Sequence, residues 1–233
     1  MLILIAAFAA SLVPAFILYF LLKKRKQDNA DYTGTCRDAL LKGIKCSVYV
    51  VMVSAVFALT EALTGLKAYP IPCAIFHNFL TLAFAEEFVK CMTFRKILKQ
   101  VNFPYSGPDA AAWMTLVGLG FELIESVVYA LMTNAGQMLV RGLTMMHAGY
   151  GFITGYFTAK AMETGRKQYL YAAFLVPWIL HGTYDLTLKD EIIALNDNLV
   201  FIPVTLAFFA AVVIVLMYLY FRKDRKQRAA AAE

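Results

Sequence analysis

The sequence predicts an all-α polytopic membrane protein with about seven transmembrane helices, an outside N-terminus and a cytoplasmic C-terminus. Of its 233 residues, 61% are hydrophobic and 16% are charged, and the mean hydropathy is +0.62. Soluble domains are about 45–50% apolar and about 25% charged, so the composition excludes an ordinary soluble fold. A single transmembrane domain over residues 1–233 accounts for the whole length.

Seven apolar segments are long enough to cross a bilayer, because a helix needs about 20 residues to span a hydrocarbon core of about 30 Å. Polar and basic stretches separate most of these segments. The predicted spans are approximately 1–22, 42–64, 71–94, 109–132, 142–160, 169–187 and 198–221.

Basic residues are concentrated on one side of the predicted spans. With the N-terminus outside, the inner loops, inner helix ends and tail hold nearly all of the 22 Lys and Arg residues. The exceptions are Lys67, Arg141 and Lys189 in outer segments and Lys90 within a span. This asymmetry satisfies the positive-inside rule and predicts the orientation. It also explains the net charge of +6, which therefore does not indicate nucleic-acid binding.

The first two spans and the last are predicted to anchor and pack. The first has no basic residues before its apolar run, so it is not a typical signal peptide. The second carries Glu61 near its outer end, and the seventh is uncharged. The four cysteines have no CxxC spacing, so neither a disulfide framework nor a cysteine metal site is indicated.

The third span contains Glu86, Glu87 and Lys90 in a run that is otherwise apolar. Each charge near a bilayer centre costs roughly 2.5–3.5 kcal/mol, so these three need partners. Glu86 is spaced i,i+4 from Lys90 and Glu87 is spaced i,i+3. An internal ion pair accounts for one carboxylate and leaves the other free, and the spacing favours Glu86 as the partner. His77, in the outer half of this span, is interpreted as a packed or interfacial residue.

The fourth span carries two carboxyl groups without a basic residue within one turn. Glu122 and Glu125 are three residues apart, so one broad helix face carries both. Glu122 is interpreted as a carboxyl that hydrogen-bonds across helices, and Glu125 as a functional group facing the bundle interior. Gly118 and Gly120 allow close approach of a neighbouring helix.

The fifth and sixth spans contribute histidines. His147 is four residues before Gly151, which forms a GxxxG step with Gly155, so its imidazole is predicted to face a neighbouring helix rather than lipid. His181 and Asp185 are spaced i,i+4 on the sixth span. Such a pair can place two metal ligands together, or the aspartate can orient the imidazole.

Four consecutive spans are therefore predicted to build one buried polar centre. Carboxylates with histidines suit water activation, because a glutamate can take a proton from water and histidines can hold a metal or an oxyanion. The candidate catalytic residues are Glu86, Glu87, Glu125, His147, His181 and Asp185, with Lys90 in support.

These motifs, in this order, resemble the PrsW family of intramembrane proteases, which is similar to the larger group of CAAX-processing Rce-type and Abi proteases. The resemblance covers roughly residues 80–190. In the larger group a histidine is expected at the position of Glu125, and the glutamate is typical of the PrsW branch. The matching residues are Glu86-Glu87-x-x-Lys90, Phe121-x-x-x-Glu125 leading to Tyr129, His147 before glycine-rich packing, and His181-x-x-x-Asp185.

The resemblance implies hydrolysis of a peptide bond in a membrane-anchored protein, such as an anti-sigma-factor-like regulator, in a prokaryotic plasma membrane. The catalytic helices would be approximately 71–187. Either Glu86 or Glu87 would be the general base: similarity to the larger group favours Glu86, whereas the helical spacing leaves Glu87 free.

The resemblance also implies the metal ligands, which are His147, His181, Glu125 and Asp185. Imidazole and carboxylate ligands suit zinc, and a metal-free glutamate mechanism would use the same residues.

Two other function classes fit parts of the sequence. A catalytically silent scaffold or binding protein resembling the Aph subunit of gamma-secretase would predict loss of the acidic pair, and both glutamates are present. A proton-coupled transporter could use intramembrane Glu and His residues as a relay. The sequence has no internal repeat of the kind that many transporters show.

Overall fold

The computed structural model describes residues 2–132, 144–187 and 201–230, and within these ranges the protein is helical and has no strand. Each predicted span overlaps one helix. Arg141, Lys189, the outer loop 188–197 and residues 231–233 lie outside the described residues. The helices are α1 (Leu2–Lys24), α2 (Ala30–Leu63), α3 (residues 70–100), α4 (Gly107–Met132), α5 (Met146–Thr164), α6 (Gln168–Thr187) and α7 (Phe201–Ala230).

Local sequence signals begin and end these helices. The side chain of Asn29 accepts a hydrogen bond of 2.8 Å from the backbone N–H of Tyr32, so it caps α2. For this reason α2 begins at Ala30, well before the apolar run that starts near residue 42. Pro70 occupies the first turn of α3, where its missing N–H costs nothing. Gly165 ends α5 with a φ of 67°, which favours glycine.

The middle of α3 is wider than an α-helix. An α-helical turn, Pro70–Phe76, continues into a π-helical stretch, His77–Phe84, and then into the α-helical part Ala85–Gln100. Trp178 of α6 donates its indole N–H to the backbone oxygen of Phe79 at 2.7 Å. π-helical segments occur frequently at functional sites, and this one ends just before Glu86.

The outer surface of the bundle is strongly apolar. Among the described residues, Ala30–Leu63 and the part Gly107–Val128 of α4 are long and apolar enough to cross a membrane. Soluble monomers rarely expose large contiguous apolar patches, so this surface fits a membrane protein. Large apolar side chains that are more than half exposed include Phe20 on α1, Val51 on α2, Tyr171 on α6 and Val215 on α7.

Helix α4 forms the core, and every residue from 109 to 122 is buried. Glycines allow α2 to touch its backbone on one side. A Cβ atom on Gly43 would overlap the carbonyl group of Val117, and one on Gly120 would overlap the carbonyl oxygen of Leu40. The predicted close approach at Gly120 is therefore confirmed.

Helix α5 approaches α4 equally closely from the other side. A Cβ atom on Gly118 would overlap the carbonyl oxygen of His147, and one on Gly155 would lie 2.6 Å from the Cα of Ala111. Gly151 packs against the backbone at Met114 in the same way. The GxxxG step is therefore a packing device, as predicted, and the contact at Gly118 places the His147 backbone directly against α4.

Ion pairs join the helices at the end of the bundle where α1 stops. Arg25 Nη2 lies 2.7 Å from Asp224 Oδ2 of α7, and Arg25 Nη1 donates to the hydroxyl of Tyr32 at 3.0 Å. Lys26 Nζ lies 2.6 Å from Asp109 Oδ2 at the start of α4. These contacts connect α1, α2, α4 and α7 at one level.

Replacing Gly43 by alanine should destabilise the bundle, because its new methyl group meets the backbone of α4 rather than a flexible side chain. We expect a loss of about 1–3 kcal/mol, the usual cost of overpacking, measured as a lower thermal unfolding midpoint in detergent. Gly34→Ala on the same helix is the control, since nothing lies within 4 Å of its Cβ position. Equal midpoints for the two variants would contradict the backbone-contact argument.

Candidate active site

The ammonium group of Lys90 lies at the centre of a buried polar cluster. Its Nζ is 2.6 Å from Glu87 Oε1, 3.0 Å from His147 Nδ1 and 3.9 Å from Glu86 Oε2. Lys90 therefore pairs more closely with Glu87 than with Glu86, which reverses the preference expected from the spacing. Both spacings permit a pair on one helix, but contacts from other helices select Glu87, whose side chain is fully buried while that of Glu86 is 10% exposed.

His181 is held between carboxylates from two helices. Its Nδ1 is 2.9 Å from Glu87 Oε1, and its Nε2 is 3.2 Å from Asp185 Oδ2 one turn later on α6. Glu87 Oε1 thus contacts both Lys90 and His181. The i,i+4 spacing of His181 and Asp185 produces the contact that the sequence analysis considered, in which a carboxylate orients an imidazole.

His147 is held by the two carboxyl groups of α4. Glu125 Oε2 contacts its ring Nε2, and Glu122 Oε2 accepts a hydrogen bond of 3.0 Å from its backbone N–H. The predicted hydrogen bond of Glu122 across helices is confirmed. Its partner, a backbone N–H in the first turn of α5, lies where a carboxylate is favourable.

The structure brings all six candidate residues into one cluster. Glu86 and Glu87 come from α3, Glu125 from α4, His147 from α5, and His181 and Asp185 from α6. Tyr150 is an additional, unpredicted member, and its ring stacks on that of His181 with centroids 4.9 Å apart and an interplanar angle of 21°. Its i,i+3 spacing from His147 was the available signal.

The cluster contains more acidic than basic groups. Lys90, His147 and His181 are its basic members. Even with both imidazoles protonated, ionised carboxyl groups would leave an excess of negative charge in buried surroundings, which is costly. Protons on the carboxyl groups or a bound cation must therefore balance the charge. The five carboxyl groups are Glu86, Glu87, Glu122, Glu125 and Asp185.

Three of these residues could hold a metal ion. Among the described residues, Glu86, His147 and His181 each offer one donor atom, all within 4.8 Å of one another. Glu86 Oε2 is buried without a hydrogen-bond partner and lies 3.8 Å from His147 Nδ1 and 3.7 Å from His181 Nε2. Neighbouring ligands of tetrahedral zinc lie about 3.4 Å apart. The donor set therefore fits a divalent cation. To bind it, His147 Nδ1 would give up its contact with Lys90.

This donor set differs in part from the metal ligands that the resemblance implies. Both sets contain His147 and His181. Glu86 lies between the two rings, whereas Glu125 contacts His147 and Asp185 contacts His181. Glu125 and Asp185 are therefore placed to orient the histidines.

A small cleft, with room for about one water molecule, opens beside the cluster. Both histidines contribute to its wall, so a water molecule in the cleft, or a ligand group at its mouth, would meet the polar groups directly. The lining residues are Glu122, Thr144, Met146, His147, Tyr150, His181, Tyr184 and Asp185.

His77 makes a contact of a different kind nearer the start of α3. Its Nδ1 lies 3.0 Å from Glu61 Oε2 of α2, and Cys73 Sγ lies 3.4 Å from Glu61 Oε1. These contacts join α2 to α3, which agrees with the interpretation of His77 as a packed residue.

Comparison with known proteins identifies similar sequences. The model of the PrsW family intramembrane metalloproteases matches residues 39–219. The chain is 31% identical over 115 residues to Protease PrsW of Oceanobacillus iheyensis, covering 48% of this chain and 54% of the relative. It is 33% identical over 114 residues to Protease PrsW of Geobacillus kaustophilus, covering 46% and 49%.

A longer match has lower identity. The chain is 25% identical over 199 residues to Protease PrsW of Clostridioides difficile, covering 79% of each sequence. The chain spans about half the length of the first two curated relatives that it matches. No solved structure matches it.

Lys90→Met should strongly destabilise the protein, because Glu87 would remain buried without its ammonium partner. Breaking a buried pair costs about 3–5 kcal/mol, measured as a lower thermal unfolding midpoint in detergent. Adding Glu87→Gln to Lys90→Met should restore much of the loss, since Gln is uncharged and can still accept from His181.

Lys96→Met, on the exposed face of the same helix, is the matched control and should have little effect. If Lys90→Met were as stable as Lys96→Met, the ammonium would not be the charge that Glu87 requires.

Proposed function

This chain belongs to the PrsW family of intramembrane metalloproteases, and on that premise we propose that it hydrolyses a peptide bond of a membrane-anchored protein with glutamate-activated water. The observation that carries the proposal is Glu86 Oε2. This buried oxygen has no hydrogen-bond partner among the described residues, and it faces His147 Nδ1 and His181 Nε2 at 3.8 and 3.7 Å. Its free lone pair is suited to take a proton from water.

The proposed reaction begins when the water oxygen bonds to the carbonyl carbon of the peptide while Glu86 takes the proton. The carbon–nitrogen bond then breaks, and Glu86 returns the proton to the leaving amine. Glu87 is not the base in this proposal, because Lys90 and His181 both occupy its Oε1. Glu87 instead holds these two groups in position. The positive charge of Lys90 lies close enough to favour the anionic intermediate.

We propose zinc as the metal, since imidazole and carboxylate donors suit it. Glu86, His147 and His181 would hold the ion, which would supply Lewis acidity to polarise the peptide carbonyl. Glu125 and Asp185 would orient the two imidazoles, the usual role of carboxylates around a metal site. In the metal-dependent form Glu86 Oε2 would be a ligand and the other oxygen, Oε1, would take the proton from water. In the metal-free form Oε2 itself would take the proton.

The setting is also part of the proposal. We place the chain as a single domain of seven spans in a prokaryotic plasma membrane, with the N-terminus outside, the C-terminus in the cytoplasm and the catalytic helices at approximately 71–187. The distribution of Lys and Arg supports this orientation. An anti-sigma-factor-like regulator is the proposed type of substrate. The relation to CAAX-processing Rce-type and Abi proteases remains a proposal from the shared motifs.

Purified protein in liposomes should cleave at least one member of a panel of single-span bacterial anti-sigma factors. Glu86→Gln should reduce the rate by about 10²–10⁴, as expected for loss of a general base. Glu163→Gln is the matched control, because Glu163 is exposed and forms an ion pair with Lys160, away from the cluster. Mass spectrometry of the products measures the cleavage.

Wild-type activity retained by Glu86→Gln would refute its role as base, and absence of cleavage by the wild type would refute the protease proposal. Repeating the assay with a chelator tests the need for a metal. Loss of activity that added zinc restores supports the zinc-dependent form. Activity that resists complete removal of metal supports direct proton transfer by Glu86.

Fusions to reporter enzymes test the proposed orientation. Alkaline phosphatase, which is active only outside the cytoplasm, should be active when joined after Lys67 and inactive when joined after Phe103. Green fluorescent protein at the C-terminus should fluoresce, because it matures in the cytoplasm. An active phosphatase after Phe103 would reverse the orientation.

A further inference from the structure

The hydroxyl group of Tyr150 is buried without a partner. The side chain is fully buried, and its oxygen has no hydrogen-bond partner among the described residues. Leaving a buried polar group without a hydrogen-bond partner is costly, and buried tyrosines usually find an acceptor. Tyr32 shows the usual arrangement, since its buried hydroxyl donates to the carbonyl of Leu22 at 2.8 Å. Tyr150 therefore has a donor to offer to a group outside the protein.

The position of Tyr150 indicates where that group would lie. Tyr150 follows His147 by three residues on α5, its ring stacks on that of His181, and its centroid is 6.0 Å from that of His147. It also lines the cleft that the two histidines line. A ligand group that reaches the histidines at the mouth of this cleft therefore comes within reach of the tyrosine.

The other donors of the cluster are already occupied. Lys90 contacts Glu87 and His147, and the ring nitrogens of His181 face Glu87 and Asp185. Because these donors are directed at internal acceptors, they are less available to a substrate oxygen than an unpartnered hydroxyl.

We infer that Tyr150 donates a hydrogen bond to the carbonyl oxygen of the peptide bond that is cleaved. This inference rests on the proposed protease function. When water bonds to the carbonyl carbon, the π electron pair moves onto the carbonyl oxygen, and the O–H of Tyr150 stabilises the resulting negative charge. The proton stays on Tyr150 throughout. Such a donor contributes mainly in the transition state, where the charge is largest.

Tyr150→Phe tests this role, because phenylalanine keeps the ring that stacks on His181 and removes only the hydroxyl. With the anti-sigma factor that the wild type cleaves in liposomes, we expect kcat to fall about 10²–10³-fold, the usual effect of removing one oxyanion donor. KM should change by less than about threefold. The thermal unfolding midpoint should stay the same or rise, because an unpartnered buried hydroxyl is lost.

Tyr220→Phe is the matched control. Its hydroxyl is also buried without a hydrogen-bond partner among the described residues, but its ring packs against Phe152 and Tyr156 and does not line the cleft. We expect an unchanged kcat. An equal loss of kcat in both variants would indicate a general effect of removing buried hydroxyls and would overturn the inference.

The outcomes separate this inference from the proposed function. If the wild type and Tyr150→Phe cleave with the same kcat, the donor role is wrong and the protease proposal stands. If Tyr150→Phe lowers the unfolding midpoint, the hydroxyl has a structural partner and the inference also fails. If the wild type cleaves no member of the panel, both proposals fail together.

Discussion

The buried ammonium of Lys90 is the charge on which the polar centre depends. It lies between a carboxylate of its own helix and an imidazole of α5, at 2.6 Å from Glu87 and 3.0 Å from His147. Opposite charges in apolar surroundings attract strongly because little water screens them. Since Glu87 also contacts His181, one ammonium links α3, α5 and α6. Within the acidic pair, Glu87 Oε1 contacts both Lys90 and His181, whereas Glu86 Oε2 has no hydrogen-bond partner among the described residues.

The glycine contacts of α4 fix the backbone positions of the helices around this charge. The backbone of α5 lies directly against Gly118 at the level of His147, while Glu122 binds the N–H of the same residue. Contacts of its main chain thus fix the position of His147 independently of the contacts of its ring. Sites built on closely packed helices hold their geometry better than sites on loops.

Much of this arrangement could be predicted from residue types and their spacing. Apolar length predicts the spans, and charged or imidazole groups in otherwise apolar helices predict the cluster, because isolated polar groups are costly there. The pairing of Lys90 could not be predicted, since i,i+3 and i,i+4 partners are equally reachable on one helix. Tyr150 was missed because a tyrosine in an apolar helix resembles any packed aromatic residue. The cap at Asn29 and the wide turns of α3 depend on contacts that hydropathy does not encode.

The π-helical stretch His77–Phe84 also determines which side of α3 carries Glu86 and Glu87. A π-helix has about 4.4 residues per turn and an α-helix 3.6, so each residue advances the helix by about 82° instead of 100°. Over these eight residues the difference accumulates to nearly half a turn. If the same sequence were wound as a regular α-helix, Glu86 and Glu87 would point away from the histidines. The number of residues per turn in this stretch therefore sets the rotation of Glu86 and Glu87 relative to the outer part of α3.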